Sequence, residues 1–184
     1  MTNQSFQDQI LSINFASDRS KQSIVDDIAS LSSEYNFNLA GINTDKPWGA
    51  FVCFDNQDAD KFVTEFFPEI TPAEARLGHD GAQLSPKILL VSPGQRLSWQ
   101  YHHLRAERWK FLTGGAYYAS HNDSPGDQQL AAAGSSLQLA CGERHRLVGS
   151  PDSYTVVAEI WQHVDVDNLS NEADIVRLSD DYQR

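Results

Sequence analysis

The chain has 184 residues, 40% of them hydrophobic and 21% charged, with a formal net charge of −11. That length buries a core without staples, and the acidity argues against duplex nucleic acid and anionic membranes as partners. Two cysteines, Cys53 and Cys141, form no CxxC pair and read as reduced thiols, and MTNQSFQDQI lacks the basic and apolar regions of a leader, which predicts a cytoplasmic protein with no membrane span.

Residues 1 to about 20 are polar and are expected to be mobile. Ile24, Val25, Ile28 and Leu31 recur at helical spacing between Ser23 and Tyr35. Lys46-Pro47-Trp48-Gly49 is a turn, and AFVCF, Ala50 to Phe54, reads as a strand. Ala59, Phe62, Val63, Phe66 and Phe67 return to helical spacing and stop at Pro68. Thr71-Pro72-Ala73-Glu74 is a capping box with proline at the first helical position. The division expected is therefore an N-terminal extension over 1–45 with one helix, then a single domain over 46–184 with a helical insertion at about 58–80.

From Lys87 the texture changes to KILLV, RLSWQYH, ERWKFL and AYYAS, separated by Ser-Pro-Gly and Gly-Gly turns. Further strands are expected at Ser136 to Ala140, His145 to Val148 and Tyr154 to Val164, with a C-terminal segment packing back on them. Many short strands without intervening helices predict a mainly β sandwich or barrel. Charge is uneven too. Lys87 to Arg146 carries seven bases and four acids, so this segment is +3 and the remainder −14. Such a segment suits a small anion such as a sugar phosphate.

The densest chemistry lies in GQRLSWQYHHLRAERWKFLTG, Gly94 to Gly114. Strand alternation puts Gln100 and His102 on one face, with Ser98 and Arg96 behind them. Glu107 falls on the returning strand, and His145 follows in GERHRL. Two imidazoles, a carboxylate and an amide oxygen form a plausible shell for one divalent metal.

The spacing Gly94-x5-Gln100-x-His102-x4-Glu107-x6-Gly114 resembles the first motif of the cupins. Gly134-x5-Ala140-x-Gly142-x2-His145 resembles the second, with Ala140 in place of the usual proline and Gly149 in place of the terminal asparagine. The resemblance implies a cupin double-stranded β-helix, or jelly-roll barrel, with a few N-terminal helices. A narrower likeness follows. SPGQRLSWQYHHLRAERW is similar to the signature of type II phosphomannose isomerases, as are KPWG at Lys46, GERHRL at Gly142 and DIVRLSDDYQR at Asp174. Leu104, Arg108 and the two inserted helices depart from that pattern. Short relatives of this kind carry the name phosphoheptose isomerase-like, so heptose and hexose phosphates both stay open.

The resemblance implies one divalent metal on Gln100, His102, Glu107 and His145, zinc foremost, with manganese, iron, nickel or cobalt as alternatives. It implies aldose–ketose isomerisation of a small phosphorylated sugar through a cis-enediolate. Glu159, in VVAEIWQ, matches the family's glutamate and is one candidate base; His103 is the other, although strand parity turns it away from His102. Arg105 matches the arginine of the family's RAEHW and is expected to act on substrate charge. Lys87, Arg96, Arg144 and Arg177 are candidates for the phosphate, Arg96 foremost by parity and Lys46 weaker. Trp48, Trp99, Trp109 and Trp161 read as core or interface residues. Exposed strand edges are compatible with a homodimer. A non-catalytic sugar-phosphate or sugar-nucleotide binding cupin, or a cupin acting on another carbohydrate, is the competing reading.

Overall fold

In the computed structural model, residues 4–183 are described. Met1–Asn3 and Arg184, the last residue of the C-terminal motif, lie outside them. The order is helix α1 (Phe6–Ser12), α2 (Lys21–Glu34), strands β1 (Leu39–Asn43) and β2 (Gly49–Phe54), a 3-10 turn, α3 (Ala59–Phe66) and α4 (Pro72–Ala75). Nine strands follow: β3 (Lys87–Val91), β4 (Trp99–Tyr101), β5 (Arg105–Phe111), β6 (Gly115–Ser120), β7 (Gln129–Ala131), β8 (Ser136–Leu139), β9 (Arg144–Val148), β10 (Thr155–His163) and β11 (Val176–Ser179). They build a six-stranded sheet, β1-β2-β3-β10-β5-β8, and a five-stranded sheet, β11-β4-β9-β6-β7, with antiparallel pairing throughout. This is the expected mainly β jelly-roll architecture.

Helices cover the outer face of the six-stranded sheet. Along β10, Val156, Ala158 and Ile160 pack with Ile24, Ile28, Phe62 and Phe66 of the helices, whereas Val157 joins an interior cluster with Trp109, Phe111 and Leu147. All nine β10 residues are buried, because both of its faces are covered. The helical layer is rich in aromatic contacts: the Phe62 and Phe66 ring centroids lie 4.5 Å apart, and those of Phe6 and Phe37 4.6 Å. Burial of each such side chain contributes about 1.5–3 kcal/mol.

The N-terminal expectation needs correcting. The 1–45 region carries two helices, not one, and Phe6 to Ser12 is ordered helix rather than a mobile tail. A capping box between Ser5 and Asp8 starts α1, and Phe6 and Ile10, one turn apart, reach the shared core. Nor is the region an appendage: β1 extends the six-stranded sheet, and α2 packs beside β2. The two inserted helices fall where expected, α4 with its Thr71–Glu74 capping box and Pro72 in its first turn.

Gly49 marks the join between helical layer and barrel mouth. A Cβ there would stand 1.9 Å from the Leu90 carbonyl oxygen, so only glycine lets β2 lie this close to β3. The turn before it is held from the helical side, where Lys21 Nζ donates to the Lys46 carbonyl at 3.2 Å.

Candidate metal centre

His102, Glu107 and His145 converge inside the barrel, all buried, with one donor atom from each lying within 4.8 Å of the others. His102 follows β4, Glu107 projects from β5, and His145 lies on β9 directly opposite Gln100. His102 Nε2 is 3.1 Å from Glu107 Oε1, and His145 Nε2 is 3.3 Å from Glu107 Oε2. Donors bound to a common divalent ion stand roughly 3.0–3.4 Å apart when the bonds are about 2.1 Å.

The second nitrogens fix what the first ones offer. His102 Nδ1 donates to the Asp174 carbonyl at 2.5 Å, and His145 Nδ1 donates to the Glu143 carbonyl at 2.9 Å. A carbonyl only accepts, so each Nδ1 carries the proton and each Nε2 turns a lone pair inward. Two lone pairs and a carboxylate thus face one another in a buried space, and His145 Nε2 has no hydrogen-bond partner there. Such a set fits a cation between its members, and Arg105 Nη2 stands 3.2 Å from His102 Nε2. Burial alone would raise the Glu107 carboxyl, but the His102 and His145 rings, which donate to it when protonated, and the Arg105 guanidinium outweigh burial and hold it well below the ordinary carboxylate range. Gln100 is buried beside this group, its Oε1 accepting from Ser98 Oγ at 2.6 Å. Three of the expected ligands, His102, Glu107 and His145, therefore come together and could hold a divalent metal, and Gln100 borders the same space from its place opposite His145.

Next to them lies a cavity of about 80 Å³, bordered by Gln100, Arg105, Glu107, Lys87, Glu159, Trp161 and, at its mouth, Lys46, Glu172 and Arg177. Glu159 is buried, and its two oxygens accept from Trp109 Nε1 at 3.0 Å and Trp161 Nε1 at 3.1 Å. Burial and the Glu107 charge raise its carboxyl to about 7, against the pull of Lys87, Arg105 and the indole donors. Both tryptophans hold a titratable group that faces the cavity, beyond the packing role their sequence context suggests. Lys87 Nζ and Arg105 Cζ lie 3.4 and 3.6 Å from the centre of the Trp161 ring.

Arg105 is buried and largely committed to the protein: Nε donates to Glu107 at 2.9 Å, and Nη1 donates to Ser170 Oγ at 2.7 Å and to the carbonyls of Asn171 and Asp174. Asp174 itself is a residue that sequence reasoning assigned no role. Its carboxylate accepts from the His103 and Leu104 amides at 2.9 and 3.1 Å and from Ser170 Oγ at 2.6 Å, while its carbonyl holds His102. Burial opposes its ionisation, but these donors hold its carboxyl low.

Three expected site residues lie elsewhere. His103 is exposed, its ring edge-on to Tyr101 at 5.1 Å, because the turn after β4 points it outward. Arg144 alternates with inward His145 on β9; it pairs with Asp123 at 2.9 Å and covers Tyr101. Arg96 pairs with Asp181 on the outer side of the five-stranded sheet. The parity argument fails for Arg96 because Leu97 and Ser98 both border the cavity, so alternation slips by one residue before β4 begins. Lys87 and Arg177 do border the cavity. Lys87 is paired with Glu172 at 2.7 Å, whereas the Arg177 and Lys46 side chains have no acidic partner among the described residues.

The family described as mannose-6-phosphate isomerase C-terminal matches residues 76–180, more than half of the chain. The chain belongs to this family. Its matched segment runs from the end of α4 to just past β11 and so contains every metal-centre residue. No curated protein matches the chain. Among solved structures, the capsular polysaccharide assembling protein CapF from Staphylococcus aureus aligns with a TM-score of 0.52 at 14% identity, over 86% of this chain and 37% of that one. The chain thus spans little more than a third of the CapF length. A cupin 2 conserved barrel domain protein from Salinispora arenicola aligns at 23% identity with a TM-score of 0.36, over 43% of this chain and 62% of that one. The fold is that of the cupins. Among the described residues no helix is long and apolar enough to cross a membrane.

Proposed function

We propose that the protein is a metal-dependent isomerase that interconverts an aldose phosphate and its ketose. The observation that supports this most is Glu159, a buried carboxyl facing the same cavity as Glu107, with its carboxyl raised to about 7. A group so tuned accepts a proton near neutrality and returns it, which is what moving a hydrogen between adjacent carbons requires. When bound by Gln100, His102, Glu107 and His145, a divalent metal, zinc foremost, supplies Lewis-acid stabilisation of negative charge on the sugar oxygens.

The protein's own groups do the rest. Trp109 and Trp161 hold the Glu159 carboxylate from both oxygens, so that it meets the substrate in one orientation. Burial in the barrel keeps bulk water from competing for the proton. Lys46 and Arg177, without acidic partners among the described residues, grip the phosphate at the mouth, with Lys87 deeper in and available once Glu172 swings away. The phosphate thereby sets how far the carbon chain enters.

A competing reading draws on the same carboxylate. Both Glu159 oxygens already accept indole hydrogens, and this favours a phosphosugar-binding cupin without turnover. Incubation of metal-loaded protein with aldose and ketose phosphates of five to seven carbons in deuterated water separates the two. The isomerase reading expects ketose formation with deuterium at the carbon next to the carbonyl, lost in Glu159→Gln with metal content unchanged. Tight binding without deuterium incorporation would establish the binding module and overturn the isomerase.

A further inference from the structure

The segment from Ser170 to Tyr182 forms one wall of the cavity, supplying Glu172, Ile175 and Arg177, yet it is held weakly along its middle. Its strand β11 has four residues, three of them exposed, and pairs only with β4. That pairing shifts register between Arg177 and Ser179. The ends are held better. Asp174 fastens the near end to the His102–Leu104 turn and to Ser170. At the far end Asp181 lies between two guanidinium groups: Arg96 Nε donates to Oδ2, and Arg146 Nη2 stands 3.7 Å from Oδ1.

Arg146 holds the same segment, its Nη2 donating to the Ser179 carbonyl at 3.1 Å as well as facing Asp181. It is nine-tenths buried, its Nε has no hydrogen-bond partner, and burial and the nearby Arg96 charge both disfavour its ionisation. Beside it, Tyr182 packs its ring against the interior cluster and donates its hydroxyl to Gln95 Oε1 at 2.8 Å. Arg177 stands between the two anchors, opposite Gln100, with its guanidinium unpaired among the described residues.

We infer that Asp181, seated between Arg96 and Arg146 on the outer side of the barrel, is a positioning residue that holds Arg177 at the cavity mouth for the substrate phosphate. This rests on the phosphosugar reading above. Asp181 touches no substrate. It sets the tension of a strap whose middle carries the phosphate ligand, so its loss lets Arg177 wander without disturbing the metal centre.

The test compares wild type with Asp181→Asn, Asp181→Glu, Arg177→Ala and the Asp181→Asn/Arg177→Ala double variant. Half-exposed ion pairs such as Arg96–Asp181 add little to global stability, so the asparagine variant is expected to fold. The substrate is whichever phosphosugar the wild type turns over, and hydrogen exchange of residues 175–179 is followed in parallel. The expectation is a KM about tenfold higher in Asp181→Asn, the scale of one charge-assisted hydrogen bond. Its kcat and metal content stay unchanged, Asp181→Glu restores the KM, and the double variant is no worse than Arg177→Ala alone. Exchange over 175–179 accelerates while that of β9 does not. Effects that multiply in the double variant, or exchange over 175–179 that stays at the wild-type rate, would overturn the inference. Failure of the isomerase reading looks different: wild type then turns over nothing. In that case exchange, with calorimetric binding of inorganic phosphate as the second readout, still decides the role of Asp181.

Discussion

Strand β10 offers two faces to two different neighbourhoods. Val156, Ala158 and Ile160 meet the helices, while Val157, Glu159 and Trp161 meet the barrel interior. On the helical side Val156, Ala158 and Ile160 join an apolar cluster, and further along Gln162 Nε2 donates to the Ala75 carbonyl of α4. On the inner side, two residues from the apolar cluster, a carboxyl is buried with a neighbour of like charge. One nine-residue strand thus carries stability on one face and chemistry on the other. The apolar face gives the polar face a fixed backbone, and the polar face contributes cost rather than cohesion.

Substitutions on each side should break this division in opposite ways. The largest effect is expected for Glu107→Ala, which removes the only carboxylate of the metal group: metal content measured on purified protein falls to background, and activity with it. Glu159→Gln should keep the metal and lower kcat by about 10²–10⁴-fold, the usual range for loss of a general base. On the other side, Phe62→Ala should cost about 3–5 kcal/mol in denaturant unfolding while the folded fraction still binds metal. Asp174→Ala is expected to weaken metal affinity by about 10-fold, because the carboxylate that fastens this segment to the His103 and Leu104 amides is lost and the backbone carbonyl that orients His102 loosens with it. A competition titration with a chelator would read that change.

The smallest and most diagnostic effect is on pH. With its native carboxyl at about 7, Glu159 is protonated below that value and becomes a base above it, so kcat/KM should rise with pH through about 7. Stability carries the opposite sign. A carboxyl raised on folding contributes stability that is complete below its unfolded value and lost as pH climbs through about 7. Wild type should therefore lose stability over the window in which it gains activity, and Glu159→Gln should show neither slope. A flat activity profile in wild type would place the base elsewhere.

How much of this could be read from sequence follows from the range of the signals involved. His102, Glu107 and His145, which come together, were legible as candidate ligands because strand alternation and the spacing of the two glycine-bounded motifs mark them out. Helices α2 and α3 were legible because apolar residues recur along them at helical spacing. Helix α1 was missed because two buried residues, Phe6 and Ile10, are too few to make a period, although Ser5 and Asp8 did announce its start. Arg96 was misplaced because alternation was carried across a stretch that is not strand. Asp174 escaped notice for another reason. Its role depends on a carbonyl meeting a ring 72 residues away, and no local pattern encodes such a meeting.

That separation also orders events in time. Glu107 and His145 are brought together by strands of opposite sheets, and His102 takes its tautomer from a segment that must first cross the barrel. An unfolded chain does not hold these groups together, so a metal bound by all of them would favour the native state. Contacts this distant in sequence form slowly, and a ligand that recognises only the finished arrangement adds its full binding energy to the native state. A site of this kind should make the melting temperature rise with metal concentration, as binding to the native state alone requires.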